Sequence, residues 1–255
     1  MIFLRILLSI FILIIIWQCI VSITNVPHYI LPSPLRVLES CWENYSILLQ
    51  NLGVTVLEII LGLILGISFG FISALSLIWF RTIRRWLLPL LVISQAIPVF
   101  AIAPLLVLWF GYGIASKVAM ATLIIYFPVA ATLYDGLRRT DIGWLELAKS
   151  MRASKLSILI HIRLPAAMPA MSSGLRVAAA VAPIGAVVGE WVGSSAGLGY
   201  LMLHANGRMQ TDLMFASLLV LAIVALIIYF SIDFIMRRTI TWQPESLLTD
   251  YKENK

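Results

Sequence analysis

Apolar residues run along this chain in long unbroken blocks, and six of them are long enough to cross a bilayer core as helices of about 20 residues. They extend from Phe3 to Ile23, Leu52 to Phe80, Trp86 to Ser116, Val118 to Tyr134, Pro165 to Val192 and Leu213 to Ile235. The first is long for a signal peptide and lacks an Ala-x-Ala-like site, so it reads as an uncleaved span. In the second, Gly62, Gly66 and Gly70 recur every fourth residue on one face, where another helix of the same or a second copy can come close. The third holds 31 uncharged residues interrupted by Pro89, Gln95, Pro98 and Pro104, which predicts a kinked or discontinuous span. Between the first two spans, Ser33 and Pro34 mark a helix start, and Leu35, Leu38, Trp42, Tyr45 and Leu49 form a 3,4-spaced apolar stripe, predicting a helix lying in the membrane interface.

Composition agrees with this pattern. The chain is 61% hydrophobic and 12% charged, with a mean hydropathy of +1.00. That is about half the charge of an average soluble chain, which excludes the ordinary soluble enzyme as well as disordered and disulfide-stapled classes. The fold class expected is all-α, a polytopic membrane bundle of six transmembrane helices. The net charge of +6 follows from basic residues held on one side of a membrane and requires no nucleic acid. With the N-terminus inside, 14 of the 18 Lys and Arg fall on the cytoplasmic side; the other four are Arg36, Lys117, Arg176 and Arg208. Both termini are therefore expected to be cytoplasmic. The chain divides into residues 1–51, the first span and interfacial helix, a core over 52–236, and a cytoplasmic tail over 237–255. Within the core, the loop 135–163 carries six basic and three acidic residues and is the expected docking point for a cytoplasmic partner.

Several short motifs carry little. Gly193-Ser194-Ser195-Ala196-Gly197 fits the G-x-S-x-G of a serine hydrolase, but it lies between membrane helices with His204 as the nearest base. Gly111-Tyr112-Gly113 before Ser116-Lys117 lacks phosphate-loop spacing and reads as a tight turn. Arg176, Glu190 and Asp233 are expensive in hydrocarbon, so each should face a cavity, a partner or an interface. Gln95, Tyr126, Arg176 and Glu190 are the candidates for polar contacts along a solute path, Arg176 foremost, although an arginine there can also bridge helices or reach toward headgroups.

The loop is more specific. Glu146-Leu147-Ala148-Lys149-Ser150-Met151-Arg152-Ala153-Ser154, followed after seven residues by Ile162-Arg163-Leu164-Pro165, resembles the EAA-x-x-x-G-(x9)-I-x-L-P signature of ABC importer permeases. Leu31 to Pro34, Ile97-Pro98, Ala103 to Leu106, Leu108 to Gly111, Leu164 to Pro169, Gly174 to Arg176 and Gly197 to Gly199 are similar to the nitrate, sulfonate and taurine branch of that family. The resemblance implies a type I importer permease paired as two subunits, cytoplasmic ATPases that hold the ATP and Mg with no cofactor in this chain, and a periplasmic or lipid-anchored solute-binding protein. It also implies a bacterial inner-membrane location. Arg152 stands where the family has glycine. An arginine resists the positive φ of a sharp turn, so the expected break moves to Ala153-Ser154 or the helix runs on.

Trp144, Ala148 and Met151 share one helical face with Leu145 and Leu147 beside it, and Glu146, Lys149, Arg152 and Lys155 supply charge. Such a helix suits a partner's groove and, with Leu164 and Pro165 opening the next span, can act as a lever. A receptor or assembly protein and a secondary transporter are the other readings; the latter calls for internal repeats or midplane carboxylates. Residues 190–195, 197–202 and 205–207 are most similar to permeases for the pyrimidine precursors of thiamine, such as hydroxymethylpyrimidine, with sulfonate, taurine or nitrate as alternatives.

Overall fold

In the computed structural model, residues 2–24 and 26–242 are described, with only the backbone at 2–7, 10, 92 and 94–96. All regular structure among them is helical. The chain runs through α1 (Ile2–Thr24), α2 (Pro34–Glu43), α3 (Tyr45–Trp79), α4 (Arg81–Ala96), α5 (Val99–Phe110) and α6 (Ile114–Arg138). It continues through α7 (Ile142–Ser150), α8 (Lys155–Ile158), a π-turn (Leu159–Arg163), α9 (Leu164–Gly193), α10 (Leu198–Gly207) and α11 (Thr211–Thr239). Helices α3, α6, the run from α8 through α9, and α11 are long and apolar enough to cross a membrane, while Phe11–Thr24 and Val99–Phe110 are shorter apolar helices. The third block is discontinuous: α4 and α5 break at Ile97-Pro98, because proline disfavours helical geometry in the residue before it.

Boundaries move at three places. Helix α3 starts at Tyr45, seven residues before the expected span, and carries Asn51 in its extra turns, one turn before Thr55. Helix α6 starts at Ile114, which draws Ser116 and Lys117 inside it; Gly111, at φ 76, makes the preceding turn. The interfacial stripe spans two helices, because the chain bends at Asn44, whose side chain donates to the Ser40 carbonyl at 3.1 Å. Leu35, Leu38, Trp42, Tyr45 and Leu49 all point away from the protein, whereas Val37 and Ser40 pack inward. Ser33 caps α2 as expected. Part of the tail, 237–239, belongs to α11; 243–255, including Lys252 and Lys255, lies outside the described residues.

Helix α6 is the middle of the bundle, with α3 against one side and α9 against the other. The α3 seam is made by the glycines of the second block. A Cβ at Gly62 would stand 2.5 Å from Ala121 Cβ, one at Gly66 2.6 Å from Ile125 Cγ2, and one at Gly70 2.9 Å from Val129. Their face is thus used within the subunit. On the other side, a Cβ at Gly185 would meet Ala121 Cα at 2.7 Å, and one at Gly174 would meet the Pro128 carbonyl at 2.8 Å. Lipid tails are as apolar as leucine, so close van der Waals packing, and not hydrophobic exclusion, holds such helices together. Gly66→Ala is expected to destabilise the chain by about 1–3 kcal/mol through overpacking. Gly53→Ala, whose Cβ meets nothing within 4 Å, should leave stability unchanged or raise it; reversible unfolding in mixed micelles compares the two.

Candidate functional site

Two regions gather the chemistry, one at each end of the bundle. At the α7 end, Asp141 caps α7 by accepting from Gly143 N at 2.6 Å. The helix stops in a Schellman motif: Ala153 N donates to Ala148 O and Arg152 N to Lys149 O, each at 2.9 Å. Arg152 sits at φ 58, in the left-handed position that the motif requires. The expectation that the break would shift to Ala153-Ser154 is therefore wrong. The two backbone bonds offset the cost of a side chain at positive φ, and the turn stays where a glycine would make it. Ser154 then caps α8 through Ser157 N at 3.1 Å.

From Lys155 onward the chain is helical without interruption to Gly193. Pro165 has no N–H to give to the His161 carbonyl, and its ring crowds that carbonyl; the π-turn over Leu159–Arg163 widens the helix just before it. Helix α8, the π-turn and the fifth span are one helical rod, and α7, the expected lever, joins it through the turn at 151–154. Of the expected coupling residues, Trp144, Leu147 and Met151 are exposed, as are Glu146, Arg152 and Ser154, while Leu145, Ala153, Leu164 and Pro165 are half-buried. Ala148 is 6% exposed, which corrects its placement on an open docking face. It forms the floor of a cavity of about 400 Å³ walled by Trp144, Leu147, Met151, His161, Pro165 and Trp242. The open apolar surface is Ile142, Trp144, Leu147 and Met151.

At the opposite end, three charged side chains are sealed inside. Glu190 is 1% exposed, Lys117 1% and Glu58 2%. Glu190 is the cap of α10: Oε2 accepts from Gly199 N at 2.5 Å and Tyr200 N at 3.2 Å, and Oε1 accepts from Thr55 Oγ1 at 2.6 Å. Leu198 N donates to Thr55 Oγ1 and Gly197 N to Asn51 Oδ1, each at 2.8 Å. The free N–H groups of a helix start are thus met by two other helices, α3 and α9. Lys117 does the reverse for chain ends with free carbonyls, donating to Tyr112 O at 2.6 Å and to Gly193 O. The Glu58 carboxyl lies within hydrogen-bond reach of Glu190, and its Oε2 has no partner among the described residues.

This cluster removes Glu190 from any surface a solute could touch in this conformation. Arg176 is also engaged: its Nε donates to Asp233 Oδ1 at 2.6 Å, and Arg237 Nε takes Oδ2 at 2.8 Å, tying α9 to α11. Tyr126 Oη donates to Ser73 Oγ at 3.0 Å, between α6 and α3. The Gln95 side chain lies outside the described residues. The structure does not bring the three described path candidates, Tyr126, Arg176 and Glu190, together. Sequence reasoning missed Asn51, Thr55, Glu58 and Lys117 as a group. The available signal was the single face of α3 on which Asn51, Thr55 and Glu58 precede Gly62, Gly66 and Gly70, together with one lysine immediately before the uncharged fourth block.

Comparison with known proteins places this geometry. Residues 62–240 match the family model described as binding-protein-dependent transport system inner membrane component. A probable ABC transporter permease of Haemophilus influenzae is 61% identical over 92% of this chain and 96% of its own. The formylaminopyrimidine transport permease ThiX of Halalkalibacterium halodurans is 35% identical over 91% of this chain and 92% of its own. The riboflavin transport permease RibX of Chloroflexus aurantiacus is 34% identical over 92% and 88%. Among solved structures, an amino acid ABC transporter is similar in fold, with a TM-score of 0.63 at 15% identity, covering 80% of this chain and 97% of that one.

Two outcomes follow from the two ends. Lys117→Met should cost about 3–5 kcal/mol by stranding buried charge, and Lys117→Met with Glu190→Gln should cost at least about 1 kcal/mol less than the sum of the singles. Strict additivity in a double-mutant cycle would remove the cluster as a coupled unit. Arg152→Gly should strengthen the α7 turn by about 1 kcal/mol, read as slower amide exchange over 144–153.

Proposed function

This chain belongs to the binding-protein-dependent inner-membrane components, in the branch that includes the sulfonate and taurine permeases, and on that premise we propose how it works as an ABC importer permease. Two copies pair across the bilayer with the solute path between them. Cytoplasmic ATPases, which hold the ATP and Mg, grip α7, and an external or lipid-anchored binding protein delivers solute to the α10 end. Both termini are cytoplasmic. The observation that carries this reading is the exposed apolar face at α7, Trp144, Leu147 and Met151, which the turn at 151–154 joins to the helix that runs on through α9. Apolar side chains outside the hydrocarbon are stable when a partner covers them. Closure of the ATPases would then rotate α7, and the rod would carry that motion to the far end of the span.

The solute proposed is a small planar nitrogen heterocycle, with a thiamine pyrimidine precursor such as hydroxymethylpyrimidine the foremost choice. Its support is the similarity to permeases named for formylaminopyrimidine and riboflavin, both above 30% identity. The paired state of Arg176 and the burial of Lys117 also support it, since neither leaves a free cation for a sulfonate. Selection by the delivering receptor lets the path itself stay mostly apolar.

Leu147→Asp should abolish uptake and ATPase retention on a tagged complex while membrane insertion stays normal. Retention of the ATPase at wild-type level would refute the α7 docking role. In cells expressing the whole system, labelled hydroxymethylpyrimidine should be taken up and taurine should not; the reverse result would assign a sulfonate and leave the importer intact.

A further inference from the structure

The α3–α4 corner holds a group of cations that neither the fold nor the transport cycle uses. Arg81, Arg84 and Arg85 occupy the first turns of α4 at i, i+3 and i+4 spacing, which puts them on one side of the helix. Arg81 and Arg85 are exposed and Arg84 is half-buried. No Asp or Glu occurs between Glu58 and Asp135, and among the described residues none of the three arginines forms an ion pair. Cations at a helix N-terminus face the positive end of its dipole, so their placement works against α4 and is not explained by helix stability. The positive-inside bias accounts for their sign, but not for what lies beside them.

Beside them is an apolar groove of about 270 Å³, lined by Leu75, Ser76, Trp79 and Phe80 of the α3 end and by Leu156 and Leu159. The one polar lining group, Ser76 Oγ, is turned back on its own helix, donating to Ile72 O at 2.8 Å. Each wall ends in a cation: Arg81 follows Phe80, and Lys155 precedes Leu156. Trp79, Phe80 and Trp86 are exposed at the same corner, the aromatic arrangement that marks the headgroup level of a bilayer. A basic cluster at that depth opening onto a greasy slot matches an acyl chain joined to a phosphate.

We propose that this corner binds an anionic phospholipid of the leaflet on the α7 side, its headgroup phosphate held by Arg81, Arg84 and Arg85 and one acyl chain lying in the groove between Trp79 and Leu159. A bound lipid there contacts Leu156 and Leu159, in the helical rod that joins α7 to α9, so the site lies against the moving part of the molecule. The proposal rests on the importer reading only for the name of the leaflet. Binding is measured without transport, so failure of one does not touch the other.

The test is native mass spectrometry of the purified chain with its co-purifying subunits, exchanged into detergent containing dioleoyl phosphatidylglycerol or dioleoyl phosphatidylcholine. The wild type should retain the glycerol lipid about tenfold or more in preference to the choline lipid. Arg81→Gln/Arg84→Gln/Arg85→Gln should bring that preference to within about twofold, and Arg85→Gln alone, on the exposed side, should lower it by roughly a third on a logarithmic scale. Arg138→Gln/Arg139→Gln, a basic pair elsewhere on the same side, should leave it unchanged. Equal loss in that control pair, an unchanged preference in the triple variant, or displacement of the lipid by millimolar inorganic phosphate would overturn the assignment. The last result would show a simple anion site.

Discussion

The bundle depends on how closely α6 is approached from both sides. In a hydrocarbon solvent, helices gain little from hiding apolar surface and gain most from bringing backbones together. Gly62, Gly66 and Gly70 of α3 lie directly on Ala121, Ile125 and Val129, while Gly174 and Gly185 of α9 lie on Pro128 and Ala121 from the other side. One alanine, Ala121, is pressed by glycines of both neighbours. These contacts leave no room for sliding by a fraction of a turn, so the three helices are fixed in register along most of their length. Helices α1 and α4, which lack such seams, lie at the edges, with α1 joined to the body mainly through α2 and the Trp17–Phe215 contact.

That register brings Thr55, Glu58, Lys117 and Glu190 to one level, where they close the α10 end. Two of the charges there do backbone work: Glu190 supplies the start of α10, and Lys117 supplies the end of α9 and the α5–α6 turn. Buried charge is seldom a large source of net stability, but it is intolerant of partial opening, because separating the partners strands each in low dielectric. The α10 end of a single subunit therefore behaves as one block. The α7 end is built oppositely, from a nine-residue helix, a strained turn at Arg152, a π-turn and an apolar surface left uncovered.

A permease needs that asymmetry. On the proposed pairing, with force entering at α7 and a rigid α10 end in each subunit, the change in access would arise from rotation of whole subunits, with α9 as the connecting rod. The Arg176–Asp233 pair, partway along that rod, couples α11 to the same motion. A path formed between such blocks is lined by what they leave exposed, which on α9 is the stripe Ser173, Val177, Ala180 and Ile184. It is small and nearly uncharged, compatible with a solute whose selection took place before delivery.

The sequence by itself determined that this is a helical membrane protein, where its apolar blocks lie, that the third is broken, and that the loop before Pro165 carries the signature of its family. These features are local: block length, proline chemistry and a loop signature are written in consecutive residues. It also showed the glycine face of α3, since a period of four needs no partner to be seen. What lay across from that face was decided by the tertiary structure, as were the burial of Ala148 and the retreat of Glu190 from the path. Arg152 shows the limit most directly. Its intrinsic preference is against positive φ, yet two backbone hydrogen bonds that close the end of α7 outweigh it. Lys117 reads in the sequence as a cation near a turn, because one of the two carbonyls it meets, that of Gly193, stands 76 residues after it. A charge in hydrocarbon is stable only beside groups that satisfy it, and which groups those are depends on helix register, a property of packed surfaces that no single stretch of sequence contains.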